Sequence, residues 1–201
     1  MEIPSRQEFI KGYENYEKRE GRDPIYRVAR FLVTHYWGKP RDMADGLGTL
    51  LLVWNQAFYR YGHFDMDKLE KCISSNFRTF EKLKERSIFS LCNADEPIIK
   101  KLFHQFLKAL EIHAGKSKGK RSPVAVSKAL HLLAPNFFPL WDDKIAKGYF
   151  CRYSKNPAEE YIRFCRIMKI FAEKVKGYTK RPDILKVVDQ FNYSKFTKGW
   201  I

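Results

Sequence analysis

The sequence predicts an all-α fold. Two observations carry it: apolar residues recur every three to four positions along most of the 201 residues, and no β-branched alternating run reaches strand length. A third agrees, because Pro24, Pro40, Pro97, Pro123, Pro157 and Pro182 each stand near the start of such a segment, where a helix needs no amide donor.

Residues 6–19 alternate charges with Phe9, Ile10, Tyr13 and Tyr16 at helical spacing. Pro24 opens 25–37, with Val28, Phe31, Leu32 and Tyr36 along one side, and Gly38 and Pro40 stop it. Residues 40–61 form the most apolar helix, ended by Gly62. Asp65 caps the next, through Arg86, whose inner stripe is Leu69, Cys72, Ile73, Phe77, Phe80 and Leu83. Residues 95–114 repeat Ile98, Leu102, Phe106 and Leu110 every four positions. A Gly-, Ser- and Lys-rich loop, 115–122, precedes a helix from Pro123, a turn at Pro139, and helices over 144–153, 157–176 and 182–191. The reading is eight or nine helices in one domain, 1–201, divisible into lobes 1–115 and 123–201 at the basic loop.

Net charge is +15 at pH 7, with hydrophobic residues at 44% and charged residues at 30%. That balance is globular, and its sign favours polyanionic partners, nucleic acid first. The excess is concentrated: residues 144–201 carry 14 Lys and Arg against 5 Asp and Glu. Lys116, Lys118, Lys120 and Arg121 add four charges in the loop without an acid. These suit a phosphate-facing surface.

Cys72, Cys92, Cys151 and Cys165 form no CxxC pair and have no histidine at zinc-ligand spacing. Zinc, iron–sulfur and disulfide-framework roles are therefore not expected, and four reduced thiols are. Residues 1–11 hold no apolar signal core, and the longest apolar run, Leu50 to Trp54, is too short to span a bilayer. A soluble, cytoplasmic protein with no membrane contact is expected.

One stretch carries chemistry: Ser122-Pro123-Val124-Ala125-Val126-Ser127-Lys128-Ala129-Leu130-His131-Leu132-Leu133, then Phe137-Phe138-Pro139-Leu140-Trp141-Asp142-Asp143. On a helix Lys128 has Val124, Ala125, His131 and Leu132 as its neighbours. Lost solvation lowers a lysine's pKa, and a free amine attacks carbonyl carbon. The same spacing also suits a lysine whose stem is buried and whose ammonium reaches solvent. One of Asp142 and Asp143 caps the following helix, and either could move protons for the amine. His131, one turn beyond, could tune the lysine or meet phosphate, and the same position suits a satisfied core or rim histidine. Asn55 and Gln56 interrupt an apolar helix end beside Trp54, Phe58 and Tyr59, an arrangement suited to reading or replacing an extruded base, or to the solvent-facing end of an amphipathic helix. Phe137, Phe138 and Trp141 offer a further aromatic wall or, beside two prolines, lids on the core.

These residues together resemble the helix-hairpin-helix DNA glycosylase superfamily, which includes endonuclease III and the 8-oxoguanine glycosylases. In that family a lysine on an apolar helix is followed by a proline-led segment and an aspartate opening the next helix. Ser127-Lys128-Ala129 followed by Phe138-Pro139-Leu140-Trp141-Asp142 repeats that order, and Trp54-Asn55-Gln56 is similar in position to the helix that fills the space of a flipped base. Asp67-Lys68-Leu69-Glu70 resembles the acidic start of the helix after it. The resemblance covers about residues 47–153. It departs in lacking the glycine-rich hairpin and the cluster-ligating cysteines, and in a lysine-to-aspartate separation of 14 residues to Asp142, shorter than is usual there. It implies a helix-hairpin-helix glycosylase-like fold and a monomeric DNA-repair enzyme, without cofactor or metal. Lys128 would be the Schiff-base nucleophile of a glycosylase with abasic-site lyase activity, Asp142 or Asp143 its carboxylate. Asn55, Gln56, His131 and Trp141 would contact the substrate. The alternatives are a non-catalytic basic all-α nucleic-acid-binding protein and an all-α protein-interaction domain.

Overall fold

The computed structural model describes residues 2–151 and 155–201. The last part of the expected 144–153 helix, 152–153, lies outside the described residues. The fold is all-α. Ten α-helices occur among the described residues: α1 (Arg6–Arg19), α2 (Asp23–His35), α3 (Pro40–Trp54), α4 (Gln56–Tyr59), α5 (Met66–Lys84), α6 (Glu96–Ala109), α7 (Pro123–Leu133), α8 (Asp143–Gly148), α9 (Pro157–Val175) and α10 (Ile184–Asn192). A π-helix, Tyr193–Lys198, continues α10.

Side-chain caps fix several starts. The Ser5 hydroxyl accepts from the Glu8 amide at 3.2 Å, Asp65 from the Asp67 and Lys68 amides at 3.0 and 3.2 Å, and Ser122 from Ala125 at 3.2 Å. Each satisfies a first-turn amide that has no partner within the helix. Proline occupies the first turn of α2, α3, α6, α7 and α9.

Three sequence expectations are refined or corrected. First, the helix expected over 40–61 breaks at Asn55, whose φ of −116° and ψ of 28° separate α3 from α4. Second, the loop expected over 115–122 is ordered by pairing. Gly62–His63 (β1) runs antiparallel to Ala114–Gly115 (β2), and the Ile112 amide donates to Lys120 while the Gly119 amide donates to Ile112. Gly115 sits at φ 94°, and a Cβ there would lie 2.2 Å from the Tyr61 carbonyl, so this close crossing requires glycine. Third, α2 buries Tyr26, Ala29 and Val33, whereas Val28 and Phe31 of the expected stripe face outward. The reason lies in α3: a Cβ at Gly46 would stand 3.0 Å from Leu32 Cβ and 3.1 Å from Val33 Cγ2, so the two helices approach closely along that face.

One hydrophobic cluster runs from Phe9 to Phe191. α7 packs against α2, α3 and α6, and α10 against α1 and α9. All nine residues of α10 are buried, including Lys186, Asp189, Gln190 and Asn192. Gly12 on α1 admits this helix: a Cβ there would fall 2.5 Å from the Phe191 ring. The chain's last helix thereby returns to its first, and brings its polar residues beside α7. No helix among the described residues is long and apolar enough to cross a membrane.

Candidate active site

A cleft of about 470 Å³ opens where α1, α3, α7, α8 and α10 converge. Lys128, Asn55, Gln56, Trp141, Asp142 and Asp143, all singled out in the sequence, line it together. Tyr16, Glu20, Arg22, Asp189, Tyr193 and Thr197, which were not singled out, line it too.

Lys128 projects from an α7 whose residues 125–133 are all buried, and it is itself 9% exposed. Its ammonium donates to the Trp54 carbonyl at 3.0 Å and to Asn55 Oδ1, and lies 5.6 Å from the Trp54 ring centre. The Trp54 carbonyl is available because the helix breaks at Asn55: α3 ends there and leaves its last carbonyls without intrahelical partners. Burial pushes the amine down to about 8, against opposing pulls from Asp142 and Asp189 and with help from Arg22 and Lys186. About a tenth of it is then neutral at pH 7.

Asp142 is the N-cap of α8. One oxygen accepts from the Ile145 amide at 2.7 Å and the other from the Thr197 hydroxyl at 2.6 Å. Asp143 is half exposed and pairs with Lys147 one turn on, at 2.5 Å. Of the two carboxylates the sequence left open, Asp142 is the one fixed by the fold and acting on Lys128.

Asn55 was expected to fill or read the space of an extruded base; its side chain is held against Lys128. It is 7% exposed, with its carbonyl on Lys128 and its NH₂ donating to Ser122 Oγ at 3.4 Å, so it positions the lysine. Gln56 is exposed on the cleft lining and free of that constraint. Trp141 is 1% exposed, packed edge-on against Tyr161 and Phe103, with its indole N–H donating to Pro123 at 3.2 Å. It backs the wall of the cleft instead of offering a stacking face.

His131 takes the core position of the two readings its sequence offered. It is fully buried away from the cleft, held at Nδ1 by the Phe138 carbonyl at 2.8 Å and at Nε2 by the Tyr26 hydroxyl at 2.9 Å. A carbonyl only accepts, so Nδ1 carries the proton and Nε2 accepts from Tyr26. Burial pushes this imidazole down to about 3, which keeps it neutral and structural. Lys116, Lys118 and Lys120 are exposed on the paired loop, and Arg121 is tied to Glu111 at 2.5 Å. None of the four lines the cleft; the loop reaches it through Ser122.

The residues missed by sequence reasoning come mainly from α10 and the C-terminal turn. Lys186, 3% exposed, is boxed by the rings of Tyr16, Tyr26 and Trp54 at 4.4–4.9 Å and paired with Asp23 at 3.2 Å and Asp189 at 3.6 Å. Burial raises the Asp189 carboxyl to about 6, aided by the like charge of Asp142 and opposed by Lys186 and Lys128. Near the cleft, Arg22 grips Glu20 through two hydrogen bonds of 2.8 and 2.9 Å and donates to the Tyr193 hydroxyl at 2.6 Å. The legible signal was a lysine and an aspartate three apart among the apolar residues Ile184, Leu185, Val187 and Val188.

Among the described residues no group of three or more His, Cys, Asp or Glu is placed to hold a metal ion. No family model matches this chain, and no curated protein or solved structure matches it.

Proposed function

We propose that the cleft receives a damaged or base-free nucleotide of duplex DNA, and that Lys128 attacks its C1′ to form a Schiff base. The observation that carries this is a buried lysine amine, lowered to about 8, lining an open cleft beside a fixed carboxylate. Such an amine is a nucleophile at neutral pH. The cleft, about 470 Å³, lies within the roughly 300–1,000 Å³ usual for small-ligand sites. Asp142 stabilises the positive charge that develops on the sugar. Loss of the C2′ proton then expels the 3′ phosphate and cuts the strand. Arg60, on the cleft lining, and the exposed loop lysines Lys116, Lys118 and Lys120 supply phosphate contacts.

The test is borohydride trapping on a duplex containing an abasic site. Wild type gives a covalent adduct, and Lys128→Ala gives none. A protein that binds the duplex but never traps removes the lyase reading. The second reading is a non-catalytic nucleic-acid-binding protein. It draws on the two hydrogen bonds that hold Lys128 to Trp54 and Asn55, which also suit a structural cation. It predicts salt-sensitive binding that survives Lys128→Met and no adduct under any condition.

A further inference from the structure

Asp142 is held in place from both sides: Ile145 and Thr197 donate to one oxygen each, at 2.7 and 2.6 Å. Asp143 is half exposed and turned to Lys147. A third carboxyl lines the same cleft: Asp189, 7% exposed, on a helix that is otherwise buried. It stands 3.6 Å from Lys186, whose ammonium is fixed by three aromatic rings and by Asp23.

We propose that Asp189 is the catalytic acid–base of this cleft: it takes a proton from the Lys128 ammonium and returns it to the water that departs. This rests on the amine–carbonyl reading above and names the group that reading leaves open. The steps balance. An Nζ–H bond of Lys128 breaks and its proton passes through an intervening water to the Asp189 carboxylate. The freed lone pair attacks the C1′ aldehyde, and proton transfer from nitrogen to oxygen gives the neutral carbinolamine. Asp189 then protonates its hydroxyl, the C–O bond breaks, water leaves, and the nitrogen lone pair forms the iminium. One ammonium and one aldehyde give one iminium and one water, with Asp189 again a carboxylate.

The surroundings suit a group that both accepts and releases a proton near neutrality. Lys186 on α10 and Lys128 on α7 favour the carboxylate, whereas burial and Asp142 at the start of α8 favour the acid. Tyr16 of α1 and Tyr26 of α2 also feel its charge, and burial holds both phenols neutral. Arg22, Glu20 and Tyr193 neutralise one another on the cleft lining. The resulting carboxyl sits at about 6, within the range that makes a useful acid and base at pH 7.

The experiment compares wild type and Asp189→Asn in the rate of borohydride trapping on an abasic-site duplex from pH 5 to 9. Removing a negative charge makes the Lys128 amine more often neutral. A merely electrostatic Asp189 therefore predicts trapping that is unchanged or faster. An acid–base Asp189 predicts at least a tenfold slowing at pH 7, loss of the acid limb near pH 6, and partial rescue by added formate. Unchanged or faster trapping by a folded variant overturns the assignment and leaves the amine reading standing; a wild type that never traps overturns both. If circular dichroism shows Asp189→Asn unfolded, the double variant Lys186→Met, Asp189→Asn removes the buried pair together, and the same two outcomes apply to it.

Discussion

The Thr197 hydroxyl donates to Asp142 Oδ2 at 2.6 Å, joining the C-terminal π-helix to the first residue of the α8 cap across 55 positions. With Ile145 on the other oxygen, this bond fixes the carboxylate beside Lys128 from two sides. A hydrogen bond to a charged group contributes about 1.5–3 kcal/mol. Thr197→Val should therefore destabilise the fold by about 1.5–3 kcal/mol in urea melts, and Thr197→Ser should recover most of it. Equal stability of the valine variant and wild type would show that the latch carries no load.

Asn55 presents a neutral carbonyl to the Lys128 ammonium. Asn55→Asp puts a full negative charge in that place, which favours the protonated amine. The trapping rate at pH 7 should fall about tenfold, as a rise of one pKa unit would give, and should recover above pH 9. A pH–rate profile that does not move toward alkali would show that the amine at this position does not limit the reaction.

Lys128 titrates at about 8 in the fold and at 10.5 in the free chain. The unfolded state thus binds more protons between those values, and wild-type stability rises with pH across that window. Lys128→Met lacks this dependence. The stability difference between wild type and variant should shift in favour of wild type by about 3 kcal/mol from pH 8 to 10.5. Parallel stability curves at pH 7.5 and pH 10 would mean the amine is solvated.

His131 works in the opposite range. Its imidazole stays neutral down to about 3, whereas the unfolded histidine takes a proton near 6.5. Stability is lost as pH falls from 6.5. Asp189 opposes this, because its raised carboxyl binds a proton first in the fold, and stability is gained as pH falls from 6 towards 3.8. In His131→Gln only the second effect remains. The gap between wild type and variant should close by about 2 kcal/mol from pH 6.5 to 5, as read by urea melts at the two values.

Much of the fold was legible because helix periodicity and end signals are local. Asp65, Ser122 and the first-turn prolines mark their helices in the sequence as they do in space. The faces were less legible. Phe31 and Ile98 fit helical stripes yet lie outward, since which side of a helix is buried depends on what packs there. For α2 that was decided by Gly46, on another helix.

The sequence by itself determined an all-α chain, a basic surface, and an apolar helix with one lysine followed by two aspartates. It also placed Lys128 and Asp142 near one another, because a short proline turn joins their helices. Only the tertiary structure decided the roles. The break at Asn55 turned an expected base-reading side chain into an acceptor for Lys128, the core took His131 and Trp141, and α10 brought Lys186 and Asp189 in from about sixty residues along the chain. The physical reason is range. Helix formation and capping are settled within a few residues, whereas desolvation, ion pairing and the chemistry they set depend on which distant side chains share one dry space.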